Sequence, residues 1–210
     1  MNNSAANTGR VLWAGLRALL VLTVITGVLY PLAVTGIAQV AFPGKANGSE
    51  IKDASGKVVG SELIGQSYED LRWFQPRPSN GLGTNGVNTR CKLVLSGATN
   101  RSGDNEDLIK WVTDAKAAVV EDNSVNGYTV KPSDVPADAV TSSGSGLDPH
   151  ISPEYAKIQV HRVAEKNHLT VAQVDRLVAD HTDGRLLGFI GEPRVNVLEL
   201  NIALKESTTG

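Results

Sequence analysis

The sequence is poor in cysteine and contains no dense run of basic residues. Its 210 residues include a single cysteine, Cys91, so an intrachain disulfide and a multi-cysteine zinc site are both excluded. The four histidines show no metal-ligand spacing, and we predict no metal site. The formal net charge is −2 at pH 7, whereas nucleic-acid binding requires a concentrated Lys/Arg footprint to displace counterions from phosphates. We therefore expect no nucleic-acid partner.

Two common catalytic signatures are also missing. A nucleophile elbow needs the pattern G-x-S-x-G, but Ser145 lies directly between two glycines. A phosphate-binding loop ends in Gly-Lys followed by Ser or Thr, and neither Gly-Lys pair of the chain continues in that way. No complete catalytic set is therefore predicted, and we interpret Cys91 as a plain free thiol.

The sequence does contain one long apolar run. Residues 18–44 carry no charge, and the run is longer than the about 20 apolar residues that cross the hydrocarbon core of a bilayer. We predict a transmembrane helix over residues 11–40. The alternative is a cleaved signal peptide, whose apolar region is only about 7–15 residues long, although residues 36–38 would suit cleavage.

Charges on either side of the apolar run predict its orientation. Arg10 and Arg17 precede the run without an acidic residue, whereas charges of both signs follow it. The positive-inside rule then makes residues 1–10 a cytoplasmic tail and residues 43–210 an extracytoplasmic domain. We expect a single-pass protein of the plasma membrane, with the lipid bilayer as one partner.

Membrane helices approach one another closely where small residues lie. A proline within the span adds a kink, which is either a simple bend or a notch for a neighbouring helix. We predict that the span packs against partner helices at Gly15, Gly27, Tyr30, Pro31 and Gly36.

The residues after the span predict several short elements. Residues 50–66 are typical of a β-hairpin around a turn at 53–56. Helical periodicity predicts a helix over 105–123, a second beginning at Pro153 and a third over 171–184. The segment 77–104 is rich in Pro, Ser, Asn and Gly, and we predict a long structured loop there.

A strand and a core tryptophan complete the predicted domain. Apolar residues alternate with others over 195–204, which is typical of a half-buried strand. Trp111, beside the apolar stripe of its helix, is assigned to the core. Helices mixed with a few strands predict the α+β class.

One stretch concentrates small and polar residues, since residues 142–153 read SSGSGLDPHISP. Glycines permit unusual backbone angles, and Asp148 can accept hydrogen bonds from turn N–H groups. We predict a rigid loop that orients the helix beginning at Pro153. Two alternatives stay open, namely a general acid/base pair of Asp148 with His150 and an anion site at residues 77–79.

Five stretches of the sequence carry a family resemblance. The N-terminal span with Tyr30-Pro31 is followed by VVGSELIGQ, WFQPRPS, SSGSGLDPHISPEYAKIQVHRVA and GEPRVNVLELNIAL. Together they cover nearly the whole chain and resemble the C-subunit family of the Kdp potassium-transporting P-type ATPase. Where the family commonly shows a Ser-Gly-Gly-Ser-Asn-like run, residues 96–100 read SGATN.

The resemblance implies a non-catalytic accessory subunit of an ATP-driven, high-affinity potassium uptake complex. Its implied partners are a channel-like potassium-binding subunit and a P-type ATP-hydrolysing subunit. It also implies a role in assembly and, as a catalytic chaperone, in raising the ATP affinity of the ATP-hydrolysing subunit. ATP and potassium are thus expected at the level of the complex. Because an extracytoplasmic domain cannot contact cytoplasmic ATP, such an effect would travel through the transmembrane helices.

We predict that the 142–153 stretch docks the domain on the outer face of the potassium-binding subunit or shapes the ion entrance. The candidate residues are Arg77, Ser79, Ser145, Gly146, Asp148, His150, Asn196 and Asn201. Two other classes of function stay open. A membrane-anchored hydrolase using Ser145, Asp148 and His150 would show activity in the isolated domain, and a solute-binding anchor would bind a ligand without any partner subunit.

Overall fold

The computed structural model describes residues 3–79 and 96–209. The chain divides into two units, Met1–Ser49 and Glu50–Gly210. The middle of the predicted 77–104 loop, with Cys91, lies outside the described residues. The described parts of that segment, 77–79 and 96–104, contain no helix or strand.

The first unit contains the predicted membrane helix. Helix α1 (Asn3–Val24) passes through a π turn (Ile25–Leu29) into helix α2 (Tyr30–Ala41), and a short helix α3 (Pro43–Ala46) follows. The run Ser4–Ala41 is long and apolar enough to cross a membrane, and none of its residues is buried within the protein. An apolar surface of this kind suits a helix surrounded by lipid or by other helices. The bounds of the membrane-spanning part remain those predicted from the sequence, residues 11–40.

Pro31 accounts for the π turn. Proline has no N–H group, and its ring collides with the carbonyl four residues earlier, which here belongs to Gly27. In the wider turn the Tyr30 N–H bonds to the Ile25 carbonyl, five residues earlier, rather than to that of Thr26, and the helix continues past the proline. The predicted packing residues all lie on this run, and their role stays a prediction: Gly15, Gly27, Tyr30, Pro31 and Gly36.

The second unit opens with the predicted hairpin. Strands β1 (Glu50–Lys52) and β2 (Val58–Ser61) pair antiparallel. Asp53 organises the turn, because its Oδ1 accepts hydrogen bonds from the backbone N–H groups of Ser55 and Lys57 at 3.0 and 3.1 Å. The prediction of a hairpin at this point is confirmed.

Three amphipathic helices form where the periodicity predicts them. They are α4 (Glu106–Asn123), α5 (Pro153–Asn167) and α6 (Val171–Asp180). Each begins at a polar cap, namely Asn105, Ser152 and, in a complete capping box with Gln173, Thr170.

The predicted C-terminal strand is wrong for most of its length. Strand β5 (Arg194–Asn196) ends after three residues, and helix α7 (Val197–Thr209) follows. Strand β5 lies between β3 (His150–Ile151) and β4 (Thr182–Asp183) and runs antiparallel to both.

Two features favour a helix at this point. The Asn196 side chain accepts hydrogen bonds from the backbone N–H groups of Leu198 and Glu199 at 3.1 and 3.3 Å, and it thereby caps the helix. Leu200 and Leu204 are fully buried, and a spacing of four places both on one helical face. Burial against the rest of the domain therefore selects the helical period over the alternating one.

Helix α5 forms the centre of the core, and the α+β class is confirmed. Its predicted apolar stripe, Ala156, Val160, Val163 and Ala164, is buried, and helices α4 and α6 both pack against it. Fully burying one such valine contributes about 1.5–3 kcal/mol. Because α5 begins two residues after β3 ends, the buried helix also fixes the position of that strand.

The assignment of Trp111 to the core is wrong. Its side chain is 45% exposed, and the Arg101 guanidinium carbon lies 5.0 Å from the centre of its ring. Trp111 therefore takes part in a surface cation–π contact.

Candidate docking site

The loop at residues 142–149 leads directly into strand β3 and is ordered by its own side chains. Ser143 Oγ accepts a hydrogen bond from the Gly146 N–H at 2.9 Å, and Ser145 Oγ accepts one from the Leu147 N–H at 3.1 Å. Gly146 has φ +67°, a left-handed conformation that glycine adopts without steric cost. Local hydrogen bonds thus hold the loop in one shape.

Asp148 lies at the centre of these hydrogen bonds. Its Oδ1 accepts from the His150 N–H at 3.0 Å and lies 3.1 Å from His150 Nδ1. Its Oδ2 accepts from Arg77 Nη1 at 3.2 Å. The His150 side-chain hydrogen bond, with the backbone bond and the nearby charges, outweighs partial burial and holds the pKa of Asp148 below its ordinary value. Asp148 is therefore a carboxylate whose ion pair with Arg77 holds the loop in place, and we call the Arg77–Asp148 pair the latch.

Arg77 and Ser79 fasten the loop from the neighbouring segment. Arg77 Nε and Nη2 donate to the carbonyls of Thr141 and Ser142, both at 3.4 Å. Ser79 Oγ donates to the Gly146 carbonyl. Because the Arg77 charge is already paired with a carboxylate, the geometry does not favour the anion-site alternative at residues 77–79.

Two further segments reach the loop, and neither carries a predicted role. The Gly97 N–H donates to the Ser145 carbonyl at 2.7 Å, and the Gly65 N–H donates to the Leu147 carbonyl at 2.8 Å. A Cβ atom on Gly65 would lie 2.9 Å from the Asp148 carbonyl oxygen, so a side chain here would displace backbone atoms. The stretches VVGSELIGQ and SGATN thus both hold the loop.

We expect Gly65→Ala to displace the 142–149 loop, because the added methyl group meets backbone oxygens that cannot rotate away. The expected loss is about 1–3 kcal/mol in the free energy of unfolding, together with faster amide exchange at Gly97. Denaturant unfolding and hydrogen exchange of the full chain measure both. The matched control is Gly60→Ala, whose Cβ would meet the flexible end of Leu198 at 2.7 Å. An equal loss in both variants would contradict the close-approach explanation.

Asn196 and Asn201 make contacts inside the domain. Asn196 pairs with His150 across β3 and β5, and its Nδ2 donates to the Glu62 carbonyl at 2.9 Å. Asn201 accepts from the Phe74 N–H at 2.8 Å and donates to the Phe74 carbonyl at 2.9 Å. The structure thus places Asn196 beside the loop and brings Asn201 to Phe74 instead.

A buried arginine was not among the predicted site residues. Arg162 is fully buried, and burial lowers the pKa of its guanidinium to about 10. It donates to Asn123 Oδ1 at 2.8 Å, to Gln159 Oε1 at 2.7 Å and to the carbonyls of Leu71 and Trp73. These acceptors are all neutral oxygens, so hydrogen bonds rather than a counter-charge accommodate the cation.

Helix α5 also holds the segment 71–75 by side-chain hydrogen bonds at two further points. Gln159 accepts from the Gln75 N–H at 2.7 Å and donates to the Gln75 carbonyl at 3.1 Å. Asn167 Nδ2 donates to the Arg72 carbonyl at 2.8 Å. Because this segment leads into Arg77, these hydrogen bonds position the Arg77 side chain, which pairs with Asp148. Polar residues at 159 and 162, within the apolar stripe of α5, were the available sequence signal.

The contacts do not assemble the hydrolase alternative. Ser145 Oγ bonds to the Leu147 N–H and lies 3.2 Å from Ser143 Oγ, whereas the His150 ring bonds to Asp148. Within residues 3–79 and 96–209, no hydrogen bond joins Ser145 to His150. A serine nucleophile requires a base within hydrogen-bond reach. The same described residues hold no group of three or more His, Cys, Asp or Glu side chains arranged for a metal ion.

The chain matches known proteins over nearly its whole length. The model of one protein family, described as "KdpC: K+-transporting ATPase, c chain", matches residues 12–206. A "Potassium-transporting ATPase KdpC subunit" from Streptomyces avermitilis is 74% identical over 98% of this chain and 98% of its own length. Proteins of the same name from Streptomyces coelicolor and Mycobacterium tuberculosis are 69% and 45% identical, over 98% and 93% of this chain and 96% and 97% of their own lengths.

Proposed function

The chain belongs to the KdpC family, the c chains of the K+-transporting ATPase, and from this membership we propose that it is a non-catalytic accessory subunit that assembles and stabilises the complex. Its apolar helix anchors it in the plasma membrane with the N-terminus in the cytoplasm. The positions of Arg10 and Arg17 support that orientation. The domain then lies outside the membrane.

The 142–149 loop is the proposed contact with the channel-like, potassium-binding subunit. The observation that carries this proposal is the preorganised shape of the loop. Gly144 and Ser145 at its apex are exposed, while the Arg77–Asp148 pair and the serine hydroxyls fix its base. A surface ordered before binding loses little conformational entropy on docking. The same rigid loop would border the ion entrance on that subunit.

The helix is the proposed contact with the ATP-hydrolysing subunit. Any rise in that subunit's ATP affinity then comes through coupling in the membrane, since ATP is cytoplasmic and the domain is not. The π turn before Pro31 is a local departure from regular helix, and such turns are frequent at functional sites. Titration of ATP-hydrolysis rate against ATP concentration, with and without this chain, measures the effect directly.

Co-purification tests the accessory role. With a C-terminal tag and mild detergent, we expect a P-type ATP-hydrolysing subunit and a channel-like subunit to accompany the chain. The recovered material should hydrolyse ATP faster when potassium is added. A control chain in which an unrelated single-span helix replaces residues 4–41 separates anchoring from helix-specific contacts. Recovery of the tagged chain alone would contradict the proposal and direct attention to the hydrolase and solute-binding alternatives.

A further inference from the structure

The hairpin formed by β4 and β5 carries large apolar side chains at its tip, which we define as residues 186–190. Leu186, Leu187, Phe189 and Ile190 are 67%, 77%, 72% and 48% exposed. A continuous group of this kind on a soluble domain marks an interaction surface more often than a scattering of single residues does. The surface is separate from the 142–149 loop.

The apolar tip has an ordered backbone. The N–H groups of Leu186 and Ile190 each donate to the other residue's carbonyl at 2.9 Å, and the Gly188 N–H donates to the Arg185 carbonyl at 3.0 Å. Leu187 has φ +54°, a left-handed conformation that its Cβ makes unfavourable. Strain of this kind persists at sites where a defined shape has a function. The tip thus presents its side chains in one fixed arrangement.

The tip is joined rigidly to the core. Strand β5 lies in the middle of the small sheet, and its Val195 is fully buried. The register pairs Asp183 with Arg194 at the tip end of β5, and His150 with Asn196 at the other end. The apolar tip and the 142–149 loop therefore leave the sheet at opposite ends of β5.

The charges around the tip distinguish a protein partner from a lipid surface. Arg185 pairs with Glu192 at 2.6 Å, and Arg194 pairs with Asp183 at 3.5 Å, so the flanks are electrically neutral. A segment that binds the membrane interface typically carries several unpaired Lys or Arg, and the aromatic residues enriched at the interface are Trp and Tyr. The apolar tip has neither Trp nor Tyr, and two carboxylates flank it. A neutral apolar projection fits an apolar recess of a protein.

We propose that the apolar tip inserts into an apolar recess on the extracytoplasmic face of another subunit of the same K+-transporting ATPase. This contact is a second anchoring point in addition to the 142–149 loop. It rests on the proposed function because it requires a partner on the extracytoplasmic side of the membrane. A few residues buried at the centre of such a contact carry most of its binding energy.

The first experiment replaces the two most exposed side chains of the tip in the full complex. We expect the double variant Leu187→Ser, Phe189→Ser to reduce the recovery of partner subunits about tenfold or more. Its unfolding midpoint should equal that of the parent chain, because both side chains are already in water. The matched control is Ile109→Ser on α4, which is 52% exposed and should leave recovery unchanged. Unchanged recovery in the double variant would overturn the inference.

Photo-crosslinking identifies the occupant. A benzoylphenylalanine probe at position 189 should label another subunit of the ATPase. Labelling of lipid alone, or of a second copy of this chain, would overturn the inference. A parallel probe at position 145 separates this inference from the proposed docking through the 142–149 loop. If only the probe at 145 reaches a subunit, the apolar-tip inference fails and the proposed function stands, and if neither probe does, both fail.

Discussion

Replacing Arg162 by methionine should lower the free energy of unfolding by about 3–5 kcal/mol. Each buried acceptor left without a donor costs about 1–3 kcal/mol, and this guanidinium serves Asn123, Gln159 and the carbonyls of Leu71 and Trp73. Methionine preserves most of the aliphatic volume, so the loss reports the hydrogen bonds rather than a cavity. Removing a buried charge offsets part of the loss, which keeps the estimate below the sum of the individual acceptors.

Denaturant unfolding of the full chain in mild detergent, followed by tryptophan fluorescence, measures the loss. The control is Arg176→Ala, because the Arg176 side chain is 84% exposed and pairs with Asp180 only across one helical turn at 3.6 Å. A pair of that kind contributes about 0.3–0.5 kcal/mol. Similar losses in the two variants would show that the 71–75 segment keeps its position without the buried guanidinium.

The elements that the sequence predicts correctly are those set by local signals. The apolar run, the hairpin turn at Asp53 and the capped helices α4, α5 and α6 each depend on residues within a few positions of one another. Helix α7 differs because its apolar pattern suits two periods at once. Burial of Leu200 and Leu204 against the rest of the domain decides between them, and that information is not local.

The contacts of the candidate site likewise fall into local ones, which the sequence predicts, and long-range ones, which it does not. The Asp148–His150 turn is a local motif, and its hydrogen bonds follow from the sequence. The roles of Gly65, Gly97 and Arg162 arise from contacts with residues far away along the chain. A buried arginine is also contrary to the usual preference of charged residues for the surface. Long-range packing, which one sequence does not reveal, supplies the support beneath the loop.

Replacing Asp148 by alanine should release the latch of the 142–149 loop and, under the proposed docking, reduce the recovery of partner subunits about tenfold or more. The variant removes the acceptor for Arg77 and for the His150 N–H together. Asp148→Asn separates the two effects, because its amide oxygen still accepts from the His150 N–H while the charge beside Arg77 is lost. We therefore expect an intermediate recovery for asparagine.

The pH dependence of the latch follows from the direction of the pKa shift. The folded pKa of Asp148 lies below its ordinary value of 3.8, so the latch is fully formed above that value and is lost only as the pH falls through the lower, folded pKa. Because Asp148 stays ionised, recovery of the complex should not change with pH between about pH 5 and 8 through protonation of this carboxylate. The control for Asp148→Ala is Asp180→Ala, since Asp180 is 63% exposed on α6 and its removal should leave recovery unchanged. The measurements are subunit recovery and the potassium concentration that half-activates ATP hydrolysis. If Asp148→Ala left both unchanged, the loop would not be the docking site, and the hydrogen bonds at its base would serve the fold alone.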